Sequence, residues 1–275
     1  MSRIFFNARR ACWLLCLLVV MTGTTVLTGC ASSTQSATGG RADLVTDSDE
    51  SSARKRARIR VELAMGYLEQ GKTSIALDEV KLALAADPDF ADAYSLRGLI
   101  YMRLNEFELA QDSFLKALSL RPRDPNILHN LGWLKCQQAR YPEAMADFSA
   151  ALAVPSYGER AKTYMTQGIC QIRAGQRREA EQSLRKSYEF GASNPVTGYN
   201  LANLLFQNGE FARAQFYIRR LNNSDRSNAE SLWLGIKVER QMADRVAMLQ
   251  LANQLEKRFP QSKEAASYRR GAFDE

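Results

Sequence analysis

Histidine is nearly absent: His129 is the only one in 275 residues. That leaves little material for paired-histidine proton relays or multi-histidine zinc sites, so no catalytic or metal site and no cofactor is expected. Cysteine is also sparse. Of five, Cys12, Cys16 and Cys30 lie within or just after an N-terminal apolar run, which leaves Cys136 and Cys170 for the body of the chain. That run, ACWLLCLLVVM at 11–21, is short of the ~20 apolar residues a membrane span needs. Strong charge of one sign is missing too. The formal net charge is +7, but Arg3, Arg9 and Arg10 precede the run. Without them 34 Lys and Arg face 30 Asp and Glu, which argues against nucleic acid as a partner. Proline is rare, and Pro88, Pro122, Pro155, Pro195 and Pro260 fall where a helical repeat must break.

What is present is a repeat. Residues 126–154, NILHNLGWLKCQQARYPEAMADFSAALAV, read as two amphipathic helices joined near Ala139–Arg140. Gly132, Ala144 and Ala151 let the helices approach, and Trp133, Leu134, Phe148 and Leu152 fill the flanks. The unit recurs. Ala76, Ala110, Ala144, Ala180, Ala214 and Ala247 follow one another at 34, 34, 36, 34 and 33 residues. Ala64, Gly98, Gly132, Gly168, Ala202 and Gly235 keep the same phase, as do Val80, Phe114, Phe148, Leu184, Ile218 and Leu251. Three rows in register over six units predict an all-α, right-handed superhelical solenoid of tetratricopeptide type, since one unit cannot cover its own apolar face. Gly71, Gly175 and Gly209 are expected to end first helices. Leu221 and Gln254 break the small-residue pattern, as terminal units do.

The first helix of each pair is expected to line the concave face. Counting positions puts Val61, Met65 and Leu68, then Leu99 and Met102, then Trp133 in a partner-binding groove; Met165, Ile169, Tyr199 and Phe206 continue it. The competing assignment for each is the solenoid core. An apolar groove with methionines suits a partner's amphipathic or extended segment. Glu69 and Arg103 are placed at its rim.

At the N-terminus a basic region, a short apolar core and small residues describe a signal peptide over 1–29. Its ending, Leu27-Thr28-Gly29-Cys30, resembles a bacterial lipobox. The resemblance implies acylation of Cys30 and, with Ala31 rather than aspartate next, an outer-membrane anchor on the periplasmic face. Residues 30–53, rich in Ser, Thr, Gly and acids, are expected to be a disordered tether. The repeat domain is expected over 54–266, with a tail at 267–275. Arg54, Lys55, Arg56, Arg58 and Arg60 read first as a solvated helical turn and second as a contact for anionic headgroups or an acidic partner.

Two motifs mislead. Residues 66–73, GYLEQGKT, match the phosphate-loop pattern GxxxxGK[ST], but that chemistry needs a strand before it and a helix opening at the lysine. Here a helix precedes the motif and Gly71 sits in its turn, so no nucleotide is expected. His129 and Cys136 share a helix face without a third orienting group, and His129 reads as an ordinary surface or groove residue. In an oxidising periplasm Cys136 and Cys170 could pair, closing a loop worth about 3–4 kcal/mol. Their places within the unit differ by two, which leaves the pairing open.

Beyond the repeat, NLGWLKCQQARYPEAMADFSAALAVPSYGERAKTYMTQGICQIRAGQRREAE and AESLWLGIKVERQMADRVAMLQLANQLEKRFPQSKEA resemble the type IV pilus biogenesis/stability lipoproteins, or pilotins. The resemblance covers nearly all of 57–266 together with the lipobox. Both Cys136 and Cys170 fall where that family carries cysteines, which implies the disulfide. The resemblance implies an adaptor rather than an enzyme, which helps the pilus secretin subunit reach the outer membrane and multimerise. Alternatives are a tetratricopeptide lipoprotein serving outer-membrane protein insertion or cytochrome maturation, or a regulator of a peptidoglycan enzyme.

Overall fold

A computed structural model describes residues 49–273. The signal peptide, Cys30 and residues 30–48 of the expected tether lie outside the described residues.

Thirteen α-helices, and no strand, are found among the described residues. They pair as α1 (Ser52–Glu69) with α2 (Thr73–Ala86), α3 (Ala91–Arg103) with α4 (Phe107–Leu120), and α5 (Pro125–Gln137) with α6 (Tyr141–Leu152). Next come α7 (Arg160–Arg173) with α8 (Arg177–Phe190), α9 (Pro195–Gln207) with α10 (Phe211–Asn222), and α11 (Ala229–Gln241) with α12 (Arg245–Arg258). A single α13 (Lys263–Arg270) follows.

Short-range chemistry sets where the helices stop and start. Asp124 and Asn194 cap α5 and α9 with their side chains, each followed by a proline whose missing N–H costs nothing at that position. Asn228 and Ser231 cap α11 reciprocally. Inside every pair the chain reverses through one left-handed residue: Gly71, Asn105, Ala139, Gly175, Gly209 and Ala243. Glycine accepts that backbone without strain, whereas Ala139 and Ala243 hold it at φ 58° and 57° against a cost of about 1–2 kcal/mol.

Packing explains the small residues. A methyl group on Gly98 would lie 2.5 Å from the Phe114 ring, one on Gly132 2.8 Å from Phe148, and one on Gly168 2.7 Å from Leu184 Cγ. Where the first helix carries alanine instead, as at Ala64 and Ala202, the residue sixteen further on is the β-branched Val80 or Ile218 rather than Phe or Leu, and all four are fully buried. The volume is shared between two positions, as a close-packed interior requires.

The odd-numbered helices touch one another in succession, whereas among the described residues no two even-numbered helices meet. A stack whose first helices are in contact and whose second helices are splayed curves with the first helices inside. The array starts earlier and ends later than the 54–266 expectation. Ser51 caps α1, and α13 runs from its Ser262 cap to left-handed Gly271, across the 266/267 boundary. In α13 the stack gains a seventh inner helix that closes the end.

Candidate functional site

The inner helices present two kinds of row. Residues one past the small position, Met65, Leu99, Trp133, Ile169 and Asn203, are exposed or half-buried. Residues four past it do something else: each meets the residue two past the small position of the next unit. Leu68 and Ile100 share one core cluster, and Met102 and Leu134 another. Ile172 and Leu204 share a third. Cys136 and Cys170 occupy this same pair of positions, with Cα atoms 5.8 Å apart and the sulfurs bonded. The offset of two that left their pairing open is therefore the stagger between successive first helices.

That stagger corrects the groove. Met65 is 49% exposed and Trp133 half-buried, so both belong to the inner surface. Val61 and Met102, each 7% exposed, are core residues. Leu68, Leu99 and Trp133 are half-buried against the core clusters, with Arg173 4.8 Å over the Trp133 ring, and offer a partner only part of their surface. Helical counting mixed surface and core positions because an inner helix has three packing faces: its own partner, the preceding unit and the following one.

Two apolar residues escaped the sequence reading. Ile59 and Leu63 on α1 are 52% and 45% exposed. Their equivalents two units on, Ile127 and Leu131, are buried in the cluster formed with α3 and α4. The first unit has no predecessor among the described residues, so its stacking face is open. The signal was present in the pattern: an apolar residue at positions that only a preceding unit would bury. Ile59, Leu63 and Met65 form the candidate docking surface, on two faces of α1.

The basic cluster at the start of α1 is largely engaged. Arg54 pairs with Asp87 and lies 4.8 Å from the Phe90 ring centroid. Arg58 contacts Glu50 and Glu62, and Arg60 lies 2.8 Å from Glu79. At the expected rim Glu69 is exposed, and Arg103 donates to the Leu68 carbonyl at 3.0 Å, bridging two units.

The remaining sequence candidates settle as structure. The GYLEQGKT stretch begins inside α1, where the Gln70 amide donates to the Gly66 carbonyl, and Lys72 reaches Gln70 Oε1 at 2.8 Å. No cradle of converging amides forms there. His129, expected at the surface or in the groove, is 5% exposed. Its Nδ1 lies 2.9 Å from Thr163 Oγ1, which in turn is 2.7 Å from the Tyr157 hydroxyl. Burial, helped by nearby Lys162, lowers the imidazole to about 4, so it is neutral at physiological pH. Further along, Arg219 grips fully buried Glu239 through Nε at 2.6 Å and Nη2 at 2.8 Å, and Gln215 adds a third donor. These pairs raise the Arg219 guanidinium still further above its ordinary value.

The tetratricopeptide-repeat family model matches residues 91–124, the second unit. The type IV pilus assembly protein PilF of Pseudomonas aeruginosa is 29% identical over 238 residues, covering 86% of this chain and 91% of that protein. The solved structure of P. aeruginosa PilF superposes with a TM-score of 0.70 at 26% identity, over 80% of this chain and all of that one. That of PilW, described as a widely conserved type IV pilus biogenesis factor, superposes with a TM-score of 0.68 at 30% identity, over 77% of this chain and 97% of that one.

Proposed function

We propose that this chain, which belongs to the family of tetratricopeptide-repeat type IV pilus biogenesis proteins, is a lipid-anchored adaptor that holds a segment of the pilus secretin at the outer membrane and promotes assembly of the secretin ring. The observation that carries the reading is the open edge of the first unit, where Ile59 and Leu63 are exposed although their equivalents two units on, Ile127 and Leu131, are buried. A partner helix laid there completes the stack and removes apolar surface from water, as the preceding unit does elsewhere. Met65 extends the surface onto the inner face. Acylated Cys30 anchors the chain through residues 31–48 to the periplasmic face of the membrane, and tethering raises the local concentration of bound secretin subunits. The work is binding and placement, with no covalent chemistry.

The test is affinity capture of secretin from detergent-solubilised membranes by wild-type chain, Leu63→Glu and Met65→Glu. Both side chains are about half exposed, so the fold tolerates the charges, and circular dichroism checks this. The reading expects capture by wild type and its loss in both variants. Undiminished capture by both would remove the first unit from the mechanism, and no capture by wild type would remove the secretin. Replacing Cys30 with serine is expected to release the chain from the outer-membrane fraction.

A further inference from the structure

The inner layer is far more basic than the outer one. The seven odd-numbered helices carry sixteen Lys and Arg against six Asp and Glu, whereas the six even-numbered helices carry twelve against ten. Towards the C-terminal end the imbalance reaches the surface. In α7 to α13 the inner layer has eight cations and three carboxylates. Of these carboxylates Glu239 is fully buried beneath Arg219, and Glu264, 6% exposed, lies 3.7 Å from the Lys263 ammonium. Glu230 is the one exposed carboxylate of that set.

Chemistry also changes along the inner row. Met65, Leu99, Trp133 and Ile169 give way to Asn203. Beside Asn203 a pocket of about 460 Å³ opens between α9, α11 and α13, within the range of sites that take small ligands or a few side chains. Tyr199 and the edge of Trp233, itself 8% exposed, supply its aromatic wall; Lys237, Lys263 and Arg270 are its cations, and Glu230 and Glu264 line it as well. The wall is already positioned. Lys237 Nζ lies 5.7 Å from the Phe206 ring centroid and 5.6 Å from that of Trp233, and Phe273 stacks on Trp233 at 5.3 Å. Arg240 covers Phe273 at 4.3 Å. Burial first, then Glu230 and Glu264, push the Tyr199 phenol above its usual value, so its hydroxyl keeps its proton and can donate.

We propose that this pocket is a second docking site, separate from the first-unit surface, which takes an acidic peptide segment of a partner and seats one aromatic or large apolar residue between Tyr199 and Trp233. The carboxylates lie against Lys237, Lys263 and Arg270, and the Asn203 amide and Tyr199 hydroxyl offer hydrogen bonds to the peptide. The walls carry three cations against two carboxylates, and the eight cations against three carboxylates of the surrounding inner layer favour encounter with acidic segments, among which the aromatic slot selects. The apolar first-unit surface and this cationic end could then hold two segments, or two partners, at once.

The test is fluorescence anisotropy with a fluorescein-labelled peptide, Ser-Asp-Glu-Phe-Asp-Glu-Ser, and full-length protein in detergent. Binding is expected to weaken about tenfold in the Lys237→Gln/Lys263→Gln double variant, and strongly as salt rises to about 0.5 M. A peptide with Asn and Gln in place of its acids, and one with Ser in place of Phe, are both expected to bind poorly. Met65→Glu is expected to leave the peptide affinity unchanged, which keeps this result independent of secretin capture. Equal binding by the lysine variant would overturn the proposal. So would equal binding of the Phe-to-Ser peptide or of inorganic polyphosphate, since either would reveal only a surface attracted to anions.

Discussion

Replacing Gly132 with alanine sets two known effects against each other. In an exposed helix the change would stabilise by about 1 kcal/mol, because glycine is the poorer helix former. Here the added methyl lies 2.8 Å from Phe148 Cδ1 and Cε1, well inside the ~3.5–4.0 Å of a normal carbon contact. Phe148 is fully buried, with the His129 ring centroid 5.9 Å away, so the ring can retreat only if the α5–α6 pair opens. Overpacking of this kind costs about 1–3 kcal/mol, so after the helix-propensity gain a net loss of up to about 2 kcal/mol is expected. The chain itself supplies the compensating change, since Ala202 is paired in register with Ile218. Phe148→Ile alone leaves a void and also destabilises, but the double variant Gly132→Ala/Phe148→Ile should recover at least 1 kcal/mol relative to the sum of the singles. Urea unfolding followed by circular dichroism measures the cycle, with midpoints compared at unchanged slope. Strict additivity, or stabilisation by Gly132→Ala alone, would refute the idea that this row is small because of the ring opposite.

Three more expectations follow from the same geometry. His129 is at about 4 in the fold and near 6.5 unfolded, so below pH 6.5 the unfolded chain takes up a proton that the fold refuses. Its contribution is complete above pH 6.5 and falls between pH 6.5 and 4 by roughly 3 kcal/mol; His129→Asn should flatten that part of a pH–stability profile. Ala139→Gly and Ala243→Gly relieve a left-handed backbone and should each raise stability by about 0.5–1 kcal/mol after the entropy cost of glycine, seen as a higher thermal midpoint. Cys136 and Cys170 are 34 residues apart and 1% and 0% exposed. Replacing both with alanine should cost about 3–4 kcal/mol, while mild reductant should act slowly on the native chain, as a thiol-trapping time course would show.

Much of the fold could be read from residue spacing, because what defines each unit is local. The helix stops at Gly71, Gly175 and Gly209 and the matched rows of small and bulky residues all act within a few tens of residues. The same spacing said nothing decisive about the inner surface. Val61 and Met102 differ from Met65 and Trp133 only in which neighbouring unit they meet, and that depends on the stagger between helices a whole repeat apart. The stagger also joined Cys136 to Cys170, which counting within the unit had left open. His129 looked like a surface residue until Thr163, 34 positions later, folded against it.

The chain alone thus determined that there would be six pairs of helices and, at Gly71, Ala139, Gly175 and Gly209, where they would turn, since period and backbone preference are properties of short segments; the closing helix α13 appeared only in the structure. The stacking of the units decided which apolar residues are left for a partner, because Ile59 and Ile127 are the same residue type at the same position and differ, among the described residues, in having a unit before them. It also gathered the charged residues of α11 and α13, three cations and two carboxylates, around one pocket, a grouping that no linear pattern displays.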